Sequence, residues 1–182
     1  LIAVLFSIVV FNSSCKSKAA DNNNSASVSN DLSIPALFER KGELTNAEEW
    51  QKTKQKVEEL NQKIAKQSND VKSRLQIAVI YMSEARITGE HSYYYPAITK
   101  ILDGVLALDS KNFEALVYKA SVKMSQHQFA EAKSLAEKAK NINPDNAYIY
   151  GVLVDANVEL GNYDEAVKLS DKMQAIKPSL ES

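Results

Sequence analysis

This 182-residue chain has two histidines and one cysteine, and its 23 carboxylates are scattered along it. His91 follows Glu90 and sits two residues before Tyr93, and a His–Glu pair can relay a proton. The competing reading is a histidine that is solvated or packs on a tyrosine ring. His127 falls where a turn between helices is expected. Glu48–Glu49 and Glu58–Glu59 are adjacent pairs, so on a helix their side chains diverge and no carboxylate dyad forms. Two His and one Cys cannot furnish a Cys/His metal site. No nucleophile elbow, zinc-protease helix, phosphate loop or dinucleotide fingerprint is present. The expectation is a chain that is not an enzyme and carries no cofactor or metal. Lys plus Arg is 22 against 23 for Asp plus Glu, which speaks against a nucleic-acid-binding polycation. The most distinctive local run is Tyr93-Tyr94-Tyr95-Pro96. Tyrosine offers large contact area and a hydroxyl at low entropic cost, so His91, Tyr93 and Tyr94 are candidates for a partner-contact loop. Equally open is that Tyr95 is core and the other two pack the loop down.

The elements that would position these groups begin after an address. Residues 1–11 read LIAVLFSIVVF. As a helix they span about 16 Å, too short for a bilayer core of about 30 Å but the length of a signal-peptide core. Residue 1 is Leu and no basic segment precedes it, so the chain is expected to start inside its signal. Asn12-Ser13-Ser14-Cys15 follows and resembles the end of a bacterial lipoprotein signal, with small residues before the cysteine. Asn12 departs from the Leu-like residue usual there. The resemblance implies that Cys15 is lipidated and becomes the N-terminus, held by several acyl chains in the cell envelope. The alternatives are an ordinary secretory signal and a cytosolic chain with an apolar start. Residues 16–33 are polar and predicted to be a disordered tether.

Beyond the tether the pattern is helical, and its second half repeats. Pro144 and Pro178 are 34 residues apart. Tyr95, Phe129 and Tyr163 keep the same step, as do Leu108, Ile142 and Ile176. Ala132 pairs with Ala166, and Leu135 with Leu169. Gly161-Asn162-Tyr163-Asp164-Glu165-Ala166, with Pro178 closing the unit, resembles the tetratricopeptide repeat, whose period is 34 residues. His127-Gln128-Phe129-Ala130-Glu131-Ala132 stands in the same place one unit earlier, closed by Pro144, and Ala120 fits the small-residue position of the first helix. Lys119 departs from the usual Leu. Upstream, Ser68-Asn69-Asp70 resembles Ser110-Lys111-Asn112 as a unit boundary, but at a spacing of 42. The extra residues are placed between the helices, in a loop from Thr88 to Tyr94. Asn46 with Glu49 reads as a capping box, followed by the apolar stripe Trp50, Val57, Leu60 and Ile64. A short helix at Pro35–Lys41 is expected before it.

The predicted architecture is thus an all-α solenoid of helix-turn-helix repeats behind a long capping helix. Its parts are a signal at 1–15, a tether at 16–33, capping helices at 34–70, a degenerate repeat with an extended loop at 71–112, and repeats at 113–146 and 147–180. The chain is expected to continue beyond residue 182. In the tetratricopeptide family the first helix of each pair lines a concave groove that binds peptides or helices. The resemblance places Leu75, Val79 and Met82 of the first unit in that groove, then Val117, Ser121 and Met124 of the second, and Tyr148, Gly151 and Asp155 of the third. The implied function is a membrane-anchored scaffold that binds a protein, not nucleic acid. Two alternatives stay open: an accessory lipoprotein for a glycan or small ligand, and the binding module of an enzyme whose catalytic domain lies past Ser182.

Overall fold

The structure, a computed structural model, describes residues 32–46 and 48–177. The signal, Cys15, the tether up to residue 31, and Pro178 with its followers lie outside these residues, as does the side chain of Asn46. Among the described residues seven α-helices follow one another: α1 Glu48–Lys66, α2 Val71–Thr88, α3 His91–Leu108, α4 Phe113–Ser125, α5 Phe129–Ile142, α6 Ala147–Glu159 and α7 Tyr163–Ile176. They pair as α2 with α3, α4 with α5 and α6 with α7, and each pair also packs on the next, giving an all-α solenoid.

Local chemistry explains where the helices start and turn. Asp70 caps α2, its carboxylate accepting from the Ser73 amide at 3.0 Å and the Ser73 hydroxyl at 2.6 Å. Asn112 caps α4 through the Ala115 amide at 3.0 Å. Within the pairs, the chain reverses through a left-handed residue: Gly89, His127 and Gly161 have φ of 72°, 57° and 76°. Glycine meets that requirement without strain, whereas His127 carries a Cβ into it. Ala120, Ala132, Ala136 and Ala139 are completely buried, which lets the helix axes approach closely.

The extra residues of the first unit are not in a loop. α2 and α3 have 18 residues each, where α4 has 13 and α5 has 14. Only Gly89 and Glu90 separate α2 from α3, so His91, Tyr93 and Tyr94 belong to the opening turns of α3. Pro96 lies inside this helix. It forfeits one backbone donor near the helix start, and burial of Tyr94, Ala97 and Ile98 offsets that loss.

A second departure is the segment before α1. Residues 35–41 form no helix; a 3-10 turn follows at Gly42–Asn46. The segment runs as a strap along α2 and α3, and helix donors take up its carbonyls. Arg74 Nη1 donates to Leu32 O at 2.7 Å, Tyr81 Oη to Pro35 O at 2.6 Å, and Tyr94 Oη to Phe38 O at 3.3 Å. The Tyr93 hydroxyl donates to Ala36 O. Backbone polar groups served in this way do not need helical partners. Arg40 ends the strap in a buried ion pair: Nε and Nη2 donate to Glu84 at 2.8 and 2.7 Å, and Nη2 also reaches Glu49 at 3.1 Å. The hydrogen bond to Glu84 is the main cause that raises Arg40's pKa further above its ordinary value. The Trp50 ring lies 5.0 Å from the same guanidinium. The N-terminal end of the solenoid is therefore closed by α1, whose Trp50, Val57, Leu60 and Ile64 are buried as expected, and by the strap.

Candidate interaction groove

The face to which α2, α4 and α6 contribute holds two clefts. The smaller, about 280 Å³, is lined by Met82 and Arg86 of α2, Ser121 and Met124 of α4, Tyr148, Val152 and Asp155 of α6, and Tyr95 of α3. Its walls are joined by the hydroxyls of Ser121 and Tyr148, 3.0 Å apart. Two flexible thioethers give a lining that can adapt to a ligand. Arg86 and Asp155 supply one charge of each sign. Desolvation, and then the neighbouring Glu159, hold the Asp155 carboxyl above its ordinary range.

The larger cleft, about 810 Å³, lies over the first half of α2. Leu75, Val79 and Ile80 contribute apolar surface, Tyr118 stands on the α4 side, and Lys56 reaches in from α1.

Of the nine groove candidates, Met82, Ser121, Met124, Tyr148 and Asp155 converge on the small cleft, and Leu75 and Val79 line the large one. Val117 lines neither cleft; it is buried in the core between α4 and its neighbours. Gly151 is turned toward α7, since a Cβ there would sit 3.7 Å from Met173 Sδ. Arg86 and Tyr95 were missed. Arg86 follows Met82 by one helical turn and was legible from that spacing. Tyr95 comes from a second helix of a pair, which the family pattern assigns to the core.

The proposed contact loop is corrected more sharply. Tyr94 is fully buried and Tyr93 packs on Phe38 with ring centroids 5.0 Å apart; both hold the strap. His91 is exposed and stacks on Tyr95 at 4.9 Å, while the Glu90 carboxylate meets Lys41 Nζ at 3.4 Å. The imidazole and carboxylate that could have formed a proton relay thus have other neighbours. Among the described residues no three His, Cys, Asp or Glu side chains converge as a metal site. No helix among them is long and apolar enough to cross a membrane.

Helical hairpins stacked one on the next with an open face define a class of repeat solenoids. The sequence model of the tetratricopeptide repeat matches residues 123–179, and the described helices stack as hairpins in the manner of a tetratricopeptide-repeat solenoid. Solved structures of similar fold include a crystal structure of MamA, 17% identical with a TM-score of 0.60, the match covering 78% of this chain and 77% of that one. MamA from residue 41 onward, from Desulfovibrio magneticus RS-1, is 13% identical with a TM-score of 0.59, covering 74% and 71%. An RS-1 MamA ArsTM double mutant is 19% identical with a TM-score of 0.58, covering 69% of this chain and 66% of its own. At these identities the likeness is one of fold. No curated protein sequence matches the chain.

Proposed function

We propose that this chain is a non-enzymatic scaffold, lipid-anchored through Cys15 in a bacterial cell envelope, that holds a protein partner on the face to which α2, α4 and α6 contribute. The observation that carries the binding reading is the small cleft, where five residues from three successive repeats meet around adaptable thioethers and hydroxyls. The apolar run at 1–11 ahead of Ser13-Ser14-Cys15 supports the anchor. A glycan-binding lipoprotein is the second reading, favoured by Tyr95 and Tyr148 in the cleft. Against it, His91 already stacks on Tyr95, so of the two rings Tyr148 alone presents an open face.

The test uses full-length protein recovered from detergent-solubilised membranes, beside Cys15→Ala and Met124→Glu forms. Cys15→Ala is expected to leave the membrane fraction and keep its partner. Met124→Glu is expected to stay in the membrane fraction and lose the partner by about tenfold or more, the scale of a central contact. Sedimentation of Cys15→Ala with membranes would contradict the anchor. Equal partner recovery by Met124→Glu would contradict the groove.

A further inference from the structure

The strap and the small cleft share one piece of structure, the hairpin tip where α2 ends and α3 begins. Toward the strap this tip offers Tyr81, Glu84 and Tyr94. The two hydroxyls donate to Pro35 O and Phe38 O, and the carboxylate accepts from Arg40. Toward the cleft the same tip offers Met82, Ala85 and Tyr95. These six residues form three neighbouring pairs in sequence: Tyr81 with Met82, Glu84 with Ala85, and Tyr94 with Tyr95. A planar peptide bond joins each pair, so a shift of the strap-holding residue carries its cleft-lining neighbour along. The facing wall, with Ser121, Met124 and Tyr148, belongs to α4 and α6. The strap's bonds described above end instead on α1, α2 and α3. The strap is also the part of this arrangement able to open by itself. Residues 32–41 form no helix or strand, and their grip consists of side-chain hydrogen bonds and the half-buried Ile34, Leu37 and Phe38. Segments with few buried apolar contacts open locally at lower cost than a core helix. When the strap opens, Tyr81, Tyr94 and Glu84, all fully buried in the closed form, lose these partners. A buried hydroxyl or charge stripped of its partner is costly, so the tip must move until water reaches them. Packed elements answer such a demand by changing between discrete arrangements.

We propose that the strap is a switch for the small cleft. Docked, it holds the hairpin tip so that Met82 and Tyr95 complete a preformed cleft; undocked, it lets them move, and partner binding weakens. The proposal rests on the reading of that cleft as protein-binding and adds its regulation. The strap is the first described segment after Cys15, so a pull on the proposed anchor reaches it before any helix. The chain's one tryptophan and three methionines report on the two places separately. Trp50 lies against the Arg40 guanidinium, so acrylamide quenching of its fluorescence reads the docked strap. Isotope-labelled methyl groups of Met82 and Met124 read the cleft by NMR, with Met173, close to Gly151 on the last hairpin, as the reference. In the full chain in detergent micelles, Phe38→Ala is expected to raise quenching and to shift the Met82 and Met124 signals while Met173 keeps its own. Phe38→Leu, which retains apolar bulk, is expected to do the same to a smaller extent. Glu39→Ala, exposed on the strap, is expected to do neither. Partner recovery by Phe38→Ala is expected to fall about fivefold or more, the low end of coupling between sites. Raised quenching with Met82 and Met124 unmoved would overturn the proposal. So would a shift of all three methionines, which marks general loosening, or unchanged quenching in both Phe38 variants, which marks a strap that does not open. Loss of the partner in Met124→Glu would stand in any of these cases, so the two readings fail separately.

Discussion

Arg40 and Glu84 are the residues on which the N-terminal end depends most. Both side chains are almost wholly buried, and each satisfies the other through two hydrogen bonds. Removing one partner strands a charge out of water, so Glu84→Ala is expected to lower unfolding stability by about 3–5 kcal/mol. Replacing both by apolar residues, Arg40→Met with Glu84→Leu, should restore most of that in urea titrations. A loss no larger than about 1 kcal/mol for the single change would show that water reaches the pair. Asp70 gives a pH-dependent counterpart. Its hydrogen bonds with Ser73 hold its pKa below the usual 3.8 in the folded chain. A depressed folded pKa means stability that is present above the unfolded value and is lost as pH falls through the folded one. Asp70→Ala is therefore expected to cost about 1 kcal/mol at neutral pH and to lose that deficit on acidification. Melting temperatures from neutral pH down to about pH 2 would show the two curves converging; a constant offset would contradict the assignment.

Among the elements, the hairpin turns obey one rule with one exception. His127 holds φ of 57° where its counterpart Gly161 holds 76°. His127→Gly is expected to stabilise the chain by about 0.5–1 kcal/mol, and Gly161→Ala to destabilise it by a similar amount, in the same urea assay. The strap cannot be anticipated in this way. Its holding groups, Arg74, Tyr81, Tyr93 and Tyr94, lie 42 to 57 residues further along the chain, and no local pattern announces such pairings. Pro35–Lys41 therefore reads as a helix start. Tyr93 and Tyr94 read as a contact loop because the residues beyond the 34-residue step are placed between the helices, whereas they lengthen α2 and α3 instead. The repeats themselves were legible, since Ala132, Ala166, Leu135 and Leu169 recur at the step that buries them. Gly151 was misplaced for the opposite reason: it has no side chain, and its hydropathy says nothing about which face it takes.

Across the whole molecule the two ends of the solenoid differ. At one end α1 and the strap cover α2 and α3, joining a core that includes Leu60, Tyr81 and Ile98. On α7, Tyr163 and Val167 are 65% and 62% exposed. Between these ends, Leu106 and Tyr118 pack against both core clusters and tie the three repeats together. The clefts thus sit on a continuous scaffold, which is what a preorganised binding face requires. Deleting residues 1–41 removes the strap and uncovers Tyr81 and Tyr94, both fully buried. The truncated chain is expected to melt about 2–4 °C lower for each kcal/mol lost, by circular dichroism, while its last two repeats keep their helicity. Loss of all helicity at one lowered temperature would indicate instead that the repeats unfold as a unit.

The central claim is that the face shared by α2, α4 and α6 holds a protein partner. Its most direct test is a photo-crosslinking amino acid placed at Met124, inside the small cleft, and separately at Lys138, exposed on α5. After irradiation of intact cells, the Met124 position is expected to give a discrete protein adduct and the Lys138 position none of the same mass. The same adduct from both positions, or none from Met124, would contradict the account.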